Sequence, residues 1–414
     1  MRSVCTLVSS CLLLMAATAV SAAPQPWVRS WGAAPLPPAP AMGPFPASPG
    51  FADQTIRQVV RLSAGGTRIQ VRLTNEYGAG PLVIGAAHIA AAGPDGAITS
   101  GSDHVLTFGG KPDAVIPAGS PLVSDPVDMA TAPLARLSIS VYLPKATGPC
   151  TCHATAMQTG YVAAGDQTGA PSLASATQIQ TRAFISAVEA SGAAPAKTVI
   201  VLGDSISDGV GSTANADHRW PDRLAERLLA RGLVRGVSNQ GISGNRVLAD
   251  GAGVSALARF DRDVLSTPGA AYVIVFEGIN DIGIAYMRPP PDGPLAAWFK
   301  QMAGGSVTAQ DLISGYRQMI ARAHGHGLKI YGATITPYEG AATFTPEGEA
   351  VRQAVNAWIR SGDAFDAVLD FDAVIRDPQH PAQMQAAFHA GDHLHGSDAG
   401  YQAIAESIDL SLFN

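Results

Sequence analysis

The hydrophobic pattern changes period partway along the chain, and one layer architecture does not accommodate both halves. Between about residues 27 and 186 apolar and polar residues alternate, as half-buried strands require. In residues 68–73, Ile69, Val71 and Leu73 fall on one face and Arg68, Gln70 and Arg72 on the other. In residues 136–143 the inward set is Leu137, Ile139, Val141 and Leu143. Gly65-Gly66, Tyr77-Gly78, Gly109-Gly110 and Pro117-Ala118-Gly119 supply the intervening turns. The pattern predicts an N-terminal β-sandwich over residues 23–188, then a linker over residues 189–196, where Ala, Ser, Gly and Pro offer little to bury. A chain of 414 residues, 47% hydrophobic and 14% charged, is long enough and apolar enough for two cores.

From residue 197 to residue 414 short apolar runs alternate with amphipathic helices. Strands are expected at 198–202, 236–238, 271–276, 329–335 and 367–370, and helices at 221–231, 308–324, 346–360 and after Ser397. In the first helix Pro221 is pre-set for the opening turn, Gly232 ends it, and Trp220, Leu224 and Leu228 are spaced to face a sheet. The alternation implies an α/β domain, a five-stranded parallel sheet with helices on both faces, and ligands at the carboxyl ends of its strands.

Residues 1–22 read as a secretory signal peptide. Arg2 precedes an apolar run from Leu12 to Val20, and Val20-Ser21-Ala22 is a small-residue cleavage site. The mature chain is expected to start at Ala23 or Pro24, secreted or periplasmic. Val8-Ser9-Ser10-Cys11 resembles a lipoprotein signal, but Cys11 precedes most of the apolar run. No later segment approaches eighteen uninterrupted apolar residues, so no membrane span is expected. A formal charge of −6 without long runs of either sign gives no electrostatic reason to expect nucleic acid as a partner. Two cysteines remain after the leader, Cys150 and Cys152, in a Cys-Thr-Cys triplet. In an oxidising compartment a disulfide competes there with metal binding or two free thiols.

Four short segments, at carboxyl ends of expected strands or in the last loop, carry groups suited to acyl transfer. Gly203-Asp204-Ser205-Ile206-Ser207 follows the first strand, where a sharp turn presents a hydroxyl; alone it also fits an ordinary strand-to-helix loop. Asn239-Gln240-Gly241-Ile242-Ser243-Gly244-Asn245 follows the second, and its glycines let backbone N–H groups approach a ligand. Gly278-Ile279-Asn280-Asp281 ends the third strand, so the Asn280 amide projects toward the same crevice or caps a turn. Asp392-His393-Leu394-His395 offers a carboxylate and an imidazole at i, i+3, the pairing a base and its orienting acid need. His393 is a rival to His395. With His389 these histidines match none of the strong zinc spacings, so neither metal nor cofactor is expected.

In this order the four blocks resemble the SGNH hydrolases, the GDSL esterases and lipases, with Ile206 where the name-giving motif has leucine. The likeness runs from about Lys197 to Phe413. It implies a flavodoxin-like three-layer α/β/α domain in which Ser205 is the nucleophile, His395 the base and Asp392 its partner. The oxyanion hole it implies comprises the N–H groups of Ser205 and Gly244 and the side-chain amide of Asn280. The α/β-hydrolase alternative fits less well, because Ser207 stands where Gly-x-Ser-x-Gly has its second glycine.

The substrate expected is a carboxylic ester, small or borne on a polysaccharide. The Trp27-x-x-Ser30-Trp31 opening and Arg72-Leu73-Thr74-Asn75 resemble the subgroup of secreted acetylxylan-esterase-like proteins with an N-terminal β domain, which implies acetyl esters on carbohydrate. A broad carboxylesterase or lipase and a glycan-binding protein with incidental hydrolysis are the alternatives. The segment 284–306, with Trp298 and Phe299, is expected to wall the substrate pocket or to pack as a surface loop.

Overall fold

A computed structural model describes residues 26–41, 46–192, 197–288, 292, 296, 306–361 and 363–414. The expected leader, residues 193–196 of the expected linker, and Trp298 and Phe299 lie outside the described residues.

Two antiparallel sheets enclose the first core. One runs in the order Trp27–Gly32, Ile185–Ser191, Gly66–Asn75, Ser120–Val123, with Val127–Thr131 also pairing with Gly66–Asn75. The other runs Thr177–Ile179, Gly160–Ala164, Gln54–Arg61, Arg136–Leu143, Ala86–Ala91, His104–Val105. The alternation places Ile69, Val71 and Leu73 from one sheet and Leu137, Ile139, Val141 and Leu143 from the other in one buried cluster. Cys150 and Cys152 are disulfide-bonded, with Cα atoms 5.3 Å apart.

The expected linker begins too early. Glu189, Ala190 and Ser191 complete the strand Ile185–Ser191 and are buried. Their small, polar composition suggested a loop, but Glu189 is held inside by Arg29 at 3.3 Å and by Gln70 at 2.6 Å. Paired polar groups do not read as strand in a hydrophobic pattern.

The second core is built on five parallel strands: β1 (Thr198–Gly203), β2 (Gly236–Gly241), β3 (Ala270–Phe276), β4 (Lys329–Ala333) and β5 (Ala367–Leu369), in the spatial order β2-β1-β3-β4-β5. Val199, Ile200, Val201 and Leu202 are all fully buried, because helices cover both faces. The order reverses direction at β1. With right-handed crossovers, the helix between β1 and β2 therefore lies on the opposite face from those that follow. That helix, α2 (Trp220–Ala230), packs with α8 (Asp398–Ser407), which in turn packs with α7 (Phe371–Ile375). On the other side α3 (Ala256–Phe260) packs with α5 (Ala309–Gly325), and α6 (Pro346–Arg360) packs with α5 and with α4 (Ile279–Tyr286). The turn α1 (Ser205–Asp208) directly follows β1. No helix among the described residues is long and apolar enough to cross a membrane.

The two cores meet along β2, an edge strand. The N-terminal strand Trp27–Gly32 lies against it; beside it the Val237 N–H of β2 donates to Ser63 Oγ at 2.7 Å, and the Arg29 N–H reaches Thr198 Oγ1 of the neighbouring β1 at 3.1 Å. Ion pairs join the same bodies, among them Arg61 to Glu226 at 2.9 Å. The β region thereby covers an edge that would otherwise expose unpaired backbone groups.

Trp220, fully buried, meets Phe371 and Phe276 edge-on at centroid distances of 5.6 and 6.5 Å. Trp220→Ala is expected to cost about 3–5 kcal/mol. A urea unfolding series measures it, and a loss below about 1 kcal/mol would mean that this aromatic cluster does not anchor α2.

Candidate active site

At the end of β1, Asp204 caps α1: its Oδ1 accepts the Ile206 N–H at 2.9 Å. The chain turns over this cap, and Ser205 emerges as the first helical residue, 6% exposed. Its Oγ lies 2.8 Å from His395 Nε2, across 190 positions of sequence. His395 Nδ1 lies 2.6 Å from Asp392 Oδ2, while Asp392 Oδ1 accepts the N–H groups of Leu394 at 3.0 Å and His395 at 2.9 Å. An ionised carboxylate only accepts, so Nδ1 carries the proton and Nε2 is left to accept from the Ser205 hydroxyl. Burial alone would raise the Asp392 carboxyl, but hydrogen bonds from the His395 ring and from the backbone hold it well below the usual carboxylate range. His393, the rival base, adopts a left-handed backbone (φ 61°) and stacks on His389 at 4.3 Å. It does not share the contact that His395 makes.

Two of the expected oxyanion donors, Gly244 and Asn280, belong to or are tied to one turn after β2. The Asn245 N–H returns to Ile242 O at 2.9 Å, and Gly244 sits inside that turn at φ 80°, a conformation in which a side chain would be strained. Asn280, at the start of α4, donates Nδ2 to Asn245 O at 3.0 Å, which ties it to the same turn. An amide nitrogen carries two hydrogens, so one N–H of Asn280 remains for another acceptor. Gly241 permits the turn to reach α1, since a Cβ there would lie 2.4 Å from the Asp208 nitrogen.

Sequence reasoning missed what fastens these loops. Arg259 of α3 is buried, and its guanidinium donates to Gly203 O at 3.1 Å, Gln240 O at 2.6 Å, Asn245 Oδ1 at 3.0 Å and Glu277 Oε1 at 3.2 Å. The signal available was an arginine on a helix face otherwise occupied by Ala256 and Phe260. Asp281, one residue past Asn280, accepts the N–H groups of Val247 at 2.8 Å and Leu248 at 3.0 Å and so orders the chain beyond the turn. No group of three or more His, Cys, Asp or Glu side chains among the described residues is arranged to hold a metal ion.

Burial drives three carboxyl groups behind the serine upward. Asp204 rises to about 7, against the opposing Ile206 N–H and His395 ring, and Asp281 to about 6, against two backbone N–H groups. Glu277 is raised well above its ordinary value, first by burial and then by Asp204, and its Oε2 is buried without a partner. A carboxyl with a raised folded pKa stabilises the fold fully below its unfolded pKa and loses that contribution as pH rises through the folded one. Acids with depressed values, Asp392 among them, act in the opposite sense, but only at lower pH. At fixed ionic strength the melting temperature is expected to fall between about pH 5 and pH 7. A melting temperature that climbs across this interval would contradict the burial of charge behind Ser205.

Residues 201–403 match the family model described as GDSL-like lipase/acylhydrolase. No curated protein matches the chain. Among solved structures, the chain is similar to a putative lipolytic protein of the G-D-S-L family from Desulfitobacterium hafniense (TM-score 0.37, 21% identity, 51% of this chain and 97% of that one). It is also similar to an acetylxylan esterase from Geobacillus stearothermophilus (TM-score 0.37, 22% identity, 51% and 91%). A third similar structure is a lipase/acylhydrolase from Enterococcus faecalis (TM-score 0.37, 18% identity, 52% and 95%).

Proposed function

We propose, from the premise that residues 201–403 form a GDSL-like lipase/acylhydrolase domain and the protein is an ester-bond hydrolase, that it works through an acyl-enzyme on Ser205. The observation that carries this reading is the unbroken line from Asp392 to His395 to Ser205, with contacts of 2.6 and 2.8 Å. Ser205 Oγ attacks the ester carbonyl as its proton passes to His395 Nε2. The oxyanion accepts from the N–H groups of Ser205 and Gly244 and from Asn280 Nδ2. His395 then protonates the departing alcohol, and water, activated by the same nitrogen, releases the acid and restores the serine.

The substrate we favour is a short-chain acyl ester, with acetyl groups on carbohydrate first, met outside the cytoplasm after removal of a leader. The support is the domain organisation and the N-terminal resemblance rather than a sugar contact. Trp31 is buried beneath Arg182, and Asn75 donates to the carbonyls of Gly80 and Ile116, so these residues hold the β region together.

Release of p-nitrophenol from acetyl, butyryl and octanoyl esters, and of acetate from acetylated xylan, tests both levels of the reading. Chelator-insensitive hydrolysis that disappears in Ser205→Ala is expected, with rates falling as the acyl chain lengthens. Activity retained by Ser205→Ala would remove the nucleophile; rates rising with chain length would replace the acetyl preference with a lipase-like one. Asn280→Ala is expected to lower kcat/KM by about 100- to 1000-fold, equivalent to roughly 2.7–4 kcal/mol. An unchanged value would take Asn280 out of the oxyanion hole.

A further inference from the structure

The β region sends two side chains into the neighbourhood of Ser205. The short strand Cys152–His153, which begins at one half of the disulfide, presents His153, 6% exposed, toward the end of α1. Its Nδ1 lies 3.0 Å from Ala34 O and its Nε2 lies 2.8 Å from Asp208 Oδ1. A carbonyl and a carboxylate both accept, so both ring nitrogens donate and the ring is an imidazolium. Burial works against that charge, while Asp208 and then Ala34 O outweigh it and leave His153 raised above its ordinary value.

Asp208 is the far end of the connection. It closes the helical turn that Ser205 opens, and its Oδ2 accepts the Ser243 N–H at 3.1 Å and the Ser243 hydroxyl at 2.7 Å. Ser243 precedes Gly244 in the turn, so fixing the Ser243 amide and hydroxyl limits rotation of the peptide that carries the Gly244 N–H. Since the Ser243 hydroxyl donates to Asp208, the Thr155 hydroxyl, 3.1 Å away, donates to Ser243. Thus His153 and Thr155, both from the β region, converge on one turn of the hydrolase domain.

The segment that carries them is anchored in the β region. Phe184 N donates to Thr151 O at 3.1 Å, Leu36 N donates to Cys152 O at 2.7 Å, and Tyr77 N donates to Thr151 Oγ1 at 3.0 Å. Arg182 and Arg219 line the same small crevice, so another cation is not the neighbour that His153 needs; Asp208 is.

We propose that His153 is a positioning residue for ester hydrolysis: through Asp208 it holds the Ser243–Gly244 turn in the orientation that presents the Gly244 N–H to the oxyanion. This rests on the assignment of Ser205 and Gly244 made above. It makes the β region a working part of the catalytic centre, and it predicts that loss of His153 impairs turnover more than substrate binding.

The test is kcat and KM for p-nitrophenyl acetate, normalised to active sites titrated with a p-nitrophenyl phosphonate, in the full chain carrying His153→Leu or Thr155→Val. Arg29→Met, which breaks an inter-domain contact to Thr267 at 3.0 Å and the pair with Glu189, is the control for loosening the interface alone. His153→Leu is expected to lower kcat per titrated site by about 10- to 100-fold with KM within about threefold. Thr155→Val is expected to lower it by about 3- to 10-fold, and Arg29→Met to reduce the melting temperature with kcat per site unchanged. A kcat per site in His153→Leu within twofold of the parent overturns the proposal, as does a parallel fall in Arg29→Met. Should His153→Leu fail to fold, an unchanged Thr155→Val overturns it instead. Activity surviving in Ser205→Ala would sink the esterase reading itself, a separate outcome from any of these.

Discussion

The guanidinium of Arg259 touches carbonyls at the carboxyl ends of two adjacent strands, Gly203 of β1 and Gln240, one residue from the end of β2, and the Glu277 side chain just past a third, β3. The candidate site depends on that fastening, because its groups arrive on separate loops. Ser205 follows β1, Gly244 follows β2 and Asn280 follows β3, while His395 comes from the loop before α8. Strand β1 lies where the sheet order reverses, so loops from its two neighbours open around it, the usual ligand crevice of such sheets. Asn245 accepts from Arg259 and also accepts from Asn280, which passes the constraint outward to the turn beside the serine.

Two kinds of carboxyl group share this small volume and are driven in opposite directions. Asp392, largely outside, is surrounded by donors and held ionised, as the partner of a base that must accept a proton has to be. Asp204, Asp281 and Glu277 lie inside, where desolvation outweighs the donors they receive. Preorganised donors work best where water is excluded, and the same exclusion destabilises the buried acids that hold them. The polar network behind Ser205 therefore serves orientation at some cost in stability.

Much of the fold was legible because hydrophobic burial writes itself into sequence period. The alternation over residues 68–73 and 136–143 gave the inward faces correctly, and the helix Pro346–Arg360 was bounded by its own proline and basic end. The four blocks were legible because each puts chemically distinctive residues at a strand end or, for Asp392 to His395, in the loop before the last long helix. Illegible were the pieces whose meaning lies in a distant partner. Glu189 looks like linker until Arg29 and Gln70 are beside it. Arg259 carries only the faint mark of an arginine on an apolar helix face, and His153 carries none, since each is defined by what it donates to across the fold. The short turn α1 and the helix α4 also escaped, being too brief for a helical period to show.

The β region is fastened to the hydrolase domain at both ends of β1: Arg29 meets Thr198 at its start, and His153 meets Asp208 beyond its end. Everything proposed for the protein nevertheless turns on one oxygen. The most direct measurement is intact-protein and peptide mass spectrometry after inactivation by diethyl p-nitrophenyl phosphate. One diethylphosphoryl group per chain is expected, on Ser205, accumulating in step with loss of activity and absent from His395→Ala. Complete inactivation with Ser205 unmodified would contradict the assignment of Ser205 as nucleophile.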